Sequence, residues 1–261
     1  PLKALDPLLR QGDLEAATAA AGRMLEAGQG QASDLLRLRA QWASRTGANG
    51  VAREAAATAW DHSRAAWAGT LLADLEAASG DALAAESRYR EVIRETPQFM
   101  PARDRLCELL QQTERGGEAL ELLKAAAERS PKSLERQRAL GRLALEQGEP
   151  ETALQAWRRA IRLARQTGQE HPSDHAGRIA AMIATGARRQ ARQAVRDLDT
   201  SFARHPDRDW YSVLARLQLA AGGVGGEVED ALEELESLPA ERMPEDIRQP
   251  LSQVLEALGQ R

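Results

Sequence analysis

Aromatic and β-branched side chains are scarce in this chain of 261 residues. Trp, Tyr and Phe together make up 3% of it, and Val and Ile are few, although hydrophobic residues reach 43%. Most of the hydrophobic share is Ala and Leu, which favour helices, whereas strands favour β-branched and aromatic residues. The composition therefore argues against a sheet and predicts an all-α fold.

Cysteine, excess positive charge and long apolar runs are lacking as well. Cys107 is the only cysteine, which excludes an intramolecular disulfide and suits a reducing compartment. The 35 basic and 39 acidic residues give a net charge of −4, unlike the basic stripe of a nucleic-acid-binding domain. No apolar run approaches the roughly 18 residues of a membrane span. We therefore expect no nucleic-acid partner and no membrane insertion.

No secretory signal peptide is visible, but the chain starts at Pro1 without an initiator Met. We therefore expect a processed product or a piece of a longer protein. A cytoplasmic location is the first expectation, and the periplasm is the alternative.

The strongest positive signal is a repeat of about 34 residues. Four columns recur at this spacing: Leu72, Leu106 and Leu140; the small residues Ala73, Cys107 and Gly141; Ala85, Ala119 and Ala153; and the large Tyr89, Leu123 and Trp157. Pro97 and Pro131 close two segments, and Gly80 and Gly148 mark turns, which the middle segment replaces with Gly116 and Gly117. This is the tetratricopeptide (TPR) pattern: each repeat has a leucine followed by a small residue, then an alanine, a large residue and a closing proline. Small residues let helices approach closely, and large ones fill the gap between repeats.

Weaker copies on both sides extend the pattern to about seven helix-turn-helix repeats. The prediction is an all-α, right-handed superhelical TPR solenoid that forms a single domain over 1–261. Its approximate repeats are 1–31, 32–65, 66–99, 100–133, 134–171, 172–207 and 208–240, with a final helix in 241–261 that starts near Pro244. Asp13 and Asp81 should cap helices, and Pro150 should lie in a first turn. A prolonged helix towards Gly168 and a flexible glycine-rich joint at 222–226 should interrupt the regular period.

Several stretches resemble one family in particular. They are 134–145, continuing through Gly148 and Thr152 to 157–161, together with 36–40 and Trp67 placed before Leu72. They look like the repeat region of bacterial proteins that join a CheY-like receiver domain to C-terminal TPRs. The resemblance implies a cytoplasmic signalling scaffold with a receiver upstream of Pro1. It carries over no phosphorylation-site residue.

No catalytic or cofactor-binding constellation outweighs a structural interpretation. The glycines at 222–226 lack the Lys-Ser/Thr of a phosphate loop. His171, Asp174 and His175 have metal-binding side chains, but Pro172 interrupts them, so we interpret them as a solvated loop and predict no metal. Cys107 lies in a small-residue column and should be a packing residue. The five tryptophans, Trp42, Trp60, Trp67, Trp157 and Trp210, should be mostly core, with one or two lining a groove.

The first helix of each repeat lines the concave binding groove of such solenoids. The candidates for partner binding are Arg37, Gln41, Asp74, Asp104, Glu108, Gln111, Arg138 and Arg142. A solvated surface role is the alternative for each of them. Chaperone-binding TPR domains clamp a C-terminal carboxylate with Lys and Asn, but the corresponding positions here are Thr70, Asp74, Asp104 and Glu108. Three carboxylates would repel such a ligand, so that clamp is not expected.

Charge is also clustered outside the groove candidates. Basic residues gather at Arg158, Arg159, Arg162, Arg165, Arg188, Arg189, Arg192 and Arg196, and acidic ones at Glu227, Glu229, Asp230, Glu233, Glu234 and Glu236. Solvated helix faces are the favoured interpretation. Complementary patches that dock a partner or a second copy of the chain are the alternative.

The leading functional hypothesis is a non-catalytic protein-interaction scaffold, the partner-binding region of a bacterial signalling protein. The alternative is a periplasmic scaffold for exopolysaccharide secretion or envelope assembly. An enzyme is not expected, because no nucleophile, base or metal set converges in the sequence. The expected partner is a protein or peptide, without a cofactor.

Overall fold

The structure, a computed structural model, describes residues 5, 7–8, 11–29, 31–223 and 228–259. Within these ranges the regular secondary structure consists of helices, without strands, which confirms the all-α TPR-solenoid fold class. Helix contacts divide the chain into two compact units, 1–122 and 123–261. The single domain and the limits of its repeats stay predictions.

From residue 14 onward, the described part of the first unit contains six complete helices and the start of a seventh. These are α1 Leu14–Glu26, α2 Ala32–Arg45, α3 Asn49–Ser63, α4 Ala66–Ala78, α5 Ala82–Glu95, α6 Met100–Gln112 and α7 Gly116–Arg129. The unit boundary falls within α7. From α2 onward the helices come in pairs, α2 with α3 and α4 with α5, as the repeat pattern predicts.

Among its described residues, the second unit continues with seven more helices. They are α8 Leu134–Glu146, α9 Pro150–Thr167, α10 Pro172–Ala184, α11 Arg188–Ser201, α12 Arg208–Ala221, α13 Val228–Ser237 and α14 Arg248–Gly259. Short 3-10 turns at Ala240–Arg242 and Glu245–Ile247 lie between the last two. Ile179, Leu198, Val213 and Leu217 are fully buried in its apolar core.

The repeat columns are core positions, as their chemistry requires. Leu72, Leu106 and Leu140 are all at least nine-tenths buried, and the three column alanines are fully buried. Small residues at matching positions allow the helix pairs to approach: the Sγ of Cys107 in α6 lies 3.5 Å from the carbonyl oxygen of Ala119 in α7. The column spacing therefore sets which side chains fill each helix pair.

The helix ends follow the expected chemistry. The side chains of Asp13 and Asp81 accept hydrogen bonds from the backbone N–H groups of Ala16 and Ala84. Pro150 opens α9. Proline has no backbone N–H, and this absence costs nothing in the first turn of a helix. That helix runs for 18 residues before Gly168 ends it at a φ of +67°, which confirms the predicted long helix.

The C-terminal helix is shorter than predicted. It begins at Arg248 rather than near Pro244, because the chain first makes the two 3-10 turns on either side of Pro244. Residues 260 and 261 of the predicted last segment lie outside the described residues. So do 224–227, which include Glu227 of the acidic cluster and most of the predicted glycine-rich joint.

Candidate functional site

A groove in the first unit brings together three of the predicted binding residues. Arg37 and Gln41 reach it from α2, and Asp74 reaches it from α4. The groove has a volume of about 520 Å³, and we call it the Trp67 groove. Its full lining is Arg37, Gln41, Trp42, Ser44, Arg45, Trp67, Thr70, Leu71, Asp74 and Phe99. The first helices of two successive repeats thus supply most of one surface, as the fold predicts.

Asp74 is held by residues of its own unit. Its Oδ1 accepts a 2.5 Å hydrogen bond from the Tyr89 hydroxyl and lies 3.7 Å from Nε of Arg105. Burial, with Asp74 nearby, raises the pKa of Tyr89, so the phenol stays protonated as a donor. Arg37 and Arg45, by contrast, are exposed. Arg37 and Arg45 are therefore more exposed in the groove than Asp74, whose side chain is 34% exposed.

The other three candidates in this unit lie outside the Trp67 groove. Glu108 accepts a 2.9 Å hydrogen bond from Arg105 on the same helix, α6. Gln111 donates to the backbone carbonyl of Cys107 at 3.2 Å. Asp104 is partly buried on the same helix. Local contacts thus occupy Glu108 and Gln111.

Four of the lining residues were not predicted from the sequence: Ser44, Arg45, Leu71 and Phe99. Arg45 ends α2, and Phe99 immediately precedes α6 as its N-cap residue. A signal for Phe99 was present, since the chain has only two phenylalanines and this one lies just beyond a repeat-closing proline.

A second groove, in the second unit, is lined by Arg138 and Arg142. It has a volume of about 650 Å³ and an apolar floor that includes Leu145, Leu214 and Ile247. Arg138 is already paired, because its Nε and Nη2 contact the two carboxylate oxygens of Asp174 at 2.7 and 2.8 Å. Only 1% of the Asp174 side chain is exposed, so Arg138 neutralises a buried charge. Of this pair of predicted binding residues, Arg142 is the exposed one.

The interpretation of His171, Asp174 and His175 as a solvated loop is wrong. Pro172 opens α10 rather than interrupting a loop, and His171 is the N-cap residue. Because α10 starts at Pro172, Asp174 and His175 lie in its first turn, where they are 1% and 3% exposed. Burial, helped by the positive charge of Arg178, lowers the pKa of His175 to about 4. The imidazole is therefore neutral at pH 7.

Cys107 and most of the tryptophans are core residues, as predicted. Burial raises the pKa of the Cys107 thiol to about 11, which is the opposite of an activated nucleophile. Trp42, Trp60, Trp157 and Trp210 are at least nine-tenths buried. Trp67 is partly exposed, and it is the tryptophan that the Trp67 groove presents to solvent.

The charged clusters are partly neutralised within the chain. Nε of Arg165 lies 2.8 Å from a carboxylate oxygen of Glu170, and Glu234 of the acidic helix α13 pairs with Arg216 of α12. These pairs fit the interpretation of solvated helix faces, in which exposed ion pairs contribute little to stability.

Comparison with solved structures identifies the fold. A tetratricopeptide repeat protein from Parabacteroides merdae matches with a TM-score of 0.55 at 17% identity, over 98% of this chain and 96% of that one. PilF from Pseudomonas aeruginosa matches at 0.54 and 20% identity, over 79% and 88%. PilW, described as a widely conserved type IV pilus biogenesis factor, matches at 0.56 and 14% identity, over 80% and 94%. No family model and no curated protein matches the chain.

These features define an all-α protein with the TPR fold and with grooves on its repeat helices. None of the described helices combines the length and the apolarity that crossing a membrane requires.

Proposed function

We propose that this chain is a non-catalytic scaffold that binds a protein segment in the Trp67 groove. The segment should carry an apolar anchor side chain next to an acidic residue. The observation that carries the proposal is the lining of the groove, which combines aromatic rings with exposed arginines.

The aromatic lining supports a binding role because aromatic residues are so rare in this chain. Three of its nine Trp, Tyr and Phe side chains, Trp42, Trp67 and Phe99, line this single groove. Trp42 is buried as part of the wall, while Trp67 and Phe99 are partly exposed. Trp and Arg are enriched among the residues that dominate binding energy at protein interfaces. An apolar side chain of the partner can therefore pack against Trp67 and Phe99.

The charge of the groove supports an acidic neighbour for that anchor. Arg37 and Arg45 are exposed at the groove, whereas Asp74 is engaged by Tyr89 and Arg105. A guanidinium forms bidentate hydrogen bonds to a carboxylate, which adds orientation as well as affinity. An acidic residue beside the anchor fits this arrangement better than a basic one.

A peptide selection tests this function directly. A random peptide library displayed on phage is selected against the whole chain, and the selected peptides should combine Asp or Glu with a large apolar residue. Trp67→Ala, and separately Arg37→Glu with Arg45→Glu, should weaken binding of the best peptide about tenfold or more.

The matched control is Arg53→Glu, which reverses an exposed arginine on α3 that does not line the groove. It should leave the affinity unchanged, and circular dichroism should show that all variants keep their helicity. Peptides that bind Trp67→Ala as tightly as the original chain would reject the Trp67 groove as the binding site.

We further propose that this scaffold is the partner-binding region of a bacterial signalling protein. The support is the resemblance of 134–145 and 157–161 to receiver-linked TPR regions. Assembly of an envelope structure is the second candidate, favoured by the structural likeness to the pilus biogenesis factor PilW. The parent gene upstream of Pro1 distinguishes them: a receiver domain supports signalling, and a signal peptide supports the envelope role.

Self-association through the basic and acidic clusters is an additional proposal, supported by the opposite charges of α11 and α13. Light scattering should show a dimer or larger species at low salt that dissociates at high salt. A constant monomer mass at both salt concentrations would exclude it.

A further inference from the structure

Three metal-ligating side chains from two separate connections meet in the second unit. His171 immediately precedes α10, while His205 and Asp207 lie in the connection between α11 and α12. One ligand atom of each residue lies within 4.8 Å of those of the other two. Each of the three side chains is partly exposed, so an ion from solution can reach them.

The spacing is close to that of a bound transition metal. Nε2 of His171 lies 3.7 Å from Oδ2 of Asp207. Two ligands at about 2.1 Å from a tetrahedral Zn²⁺ are separated by about 3.4 Å, so this pair needs a shift of only a few tenths of an ångström. The three ligand atoms lie within 4.8 Å of one another, so the full set must contract further around the ion. The rings of His171 and His205 are nearly perpendicular, with centroids 4.8 Å apart.

The rings of both histidines are already oriented by their neighbours. The Nδ1 of His171 lies 2.8 Å from the hydroxyl of Ser173, and its ring packs edge-on against Tyr211 at 5.6 Å. The Nδ1 of His205 accepts a 3.2 Å hydrogen bond from the backbone N–H of Asp207. These contacts leave Nε2 as the ligand atom on each ring.

Coordination through Nε2 moves the ring proton to Nδ1. At His171 the Ser173 hydroxyl can accept that proton in a hydrogen bond, which is the usual support for a metal-bound imidazole. The 3.3 Å bond that the Ser173 backbone N–H donates to the same Nδ1 must then be given up. At His205 the 3.2 Å bond from the Asp207 N–H must be given up. Zn²⁺ binding thus keeps the contact with the Ser173 hydroxyl and gives up two backbone hydrogen bonds, one at each histidine.

We propose that His171, His205 and Asp207 form a Zn²⁺ site, with water in the fourth position. Two imidazole nitrogens and one carboxylate oxygen suit Zn²⁺, whereas Mg²⁺ and Ca²⁺ prefer oxygen ligands throughout. The ion joins the start of α10 to the α11–α12 connection. This site is independent of the Trp67 groove, which lies in the other unit.

The test uses the whole chain without a polyhistidine tag, stripped with EDTA and titrated with ZnCl2 by calorimetry. We expect one Zn²⁺ per chain, a higher Tm with Zn²⁺ than with Mg²⁺, and visible absorption bands when Co²⁺ replaces Zn²⁺. His205→Ala and Asp207→Asn should each weaken Zn²⁺ binding by at least about tenfold.

The matched control is His62→Ala, which removes an exposed histidine on α3 and should leave Zn²⁺ binding unchanged. A chain that binds no stoichiometric Zn²⁺ would overturn the site. So would a His205→Ala variant that binds it as tightly as the original chain. The ZnCl2 titration of the unaltered chain tests the Zn²⁺ site even if a variant folds poorly.

Discussion

At the scale of single residues, one turn departs from the glycine pattern. Gly80 and Gly148 take φ values of +88° and +73° at the turns of their repeats. The corresponding residue of the repeat between them is Glu114, with a φ of +59°. The predicted replacements, Gly116 and Gly117, instead begin α7. Left-handed backbone is costly for a residue with a Cβ, so this repeat carries local strain.

Glu114→Gly should therefore stabilise the chain by about 1 kcal/mol, since only glycine adopts this backbone without a steric cost. The midpoint of urea unfolding measures the change. The converse substitution, Gly148→Ala, should lower the midpoint for the same reason. A Glu114→Gly variant that unfolds at lower urea than the original chain would contradict this explanation.

The buried histidine gives a second prediction at this scale. His175 is 3% exposed, and it lies near Glu170, Arg165 and Arg178, with the ring of Phe202 against it at 5.0 Å. Its pKa is about 4 in the folded chain, whereas an unfolded histidine has a pKa of about 6.5. Below pH 6.5 the unfolded chain therefore binds a proton that the folded chain does not.

Stability should consequently fall as the pH drops from 7 towards 4, by an amount on the order of 3 kcal/mol from this residue. Urea unfolding at pH 7, 6 and 5 measures the slope. His175→Gln should flatten it, while His62→Gln, which changes an exposed histidine, should not. An identical slope in His175→Gln would show that other groups cause the pH dependence.

At the scale of helices, Trp157 fills the space between three elements of the second unit. A Cβ added at Gly141 of α8 would lie 2.6 Å from the indole, and one at Gly177 of α10 would lie 2.4 Å from it. The sequence predicted that Gly141 is a small column residue and that Trp157 fills the gap between repeats. The role of Gly177 was not predicted, because its repeat matches the TPR pattern only weakly and was not aligned with the four columns.

Gly177→Ala should destabilise the chain by about 1–3 kcal/mol, because the added methyl group overpacks against the indole. Gly117→Ala is the matched control: its added Cβ meets nothing within 4 Å, and alanine favours a helix over glycine, by up to about 1 kcal/mol in a helix interior and by less in this first turn. Thermal unfolding of the two variants should move in opposite directions. Equal effects would show that Trp157 does not require glycine at position 177.

At the scale of the whole molecule, the repeat period predicted most of the fold but only part of the candidate site. The period follows from side-chain size at fixed positions, so residues such as Leu106 and Ala119 reveal it locally. Whether a charged residue is free to bind a guest depends on whether an oppositely charged residue elsewhere in the chain already pairs with it. Arg138 was predicted to bind a guest, yet it neutralises Asp174, 36 residues further along the chain. Sequence spacing alone does not reveal such a pairing.

The same limit explains which binding residues could be predicted. Arg37, Gln41 and Asp74 were found because they lie on the first helices of their repeats. Arg45 and Phe99 lie at helix ends, where the repeat pattern specifies no direction for a side chain. The convergence of His171, His205 and Asp207 was hidden for a similar reason, since two loops of unrelated sequence bring them together.

The most direct test of the scaffold function is site-specific photo-crosslinking in the cells that produce the protein. A photoreactive amino acid replaces Gln41 in the Trp67 groove or, as a control, Arg53 on α3. We predict a discrete protein adduct from position 41 that disappears when the Trp67→Ala substitution is added. Adducts from position 53 but none from position 41 would contradict it.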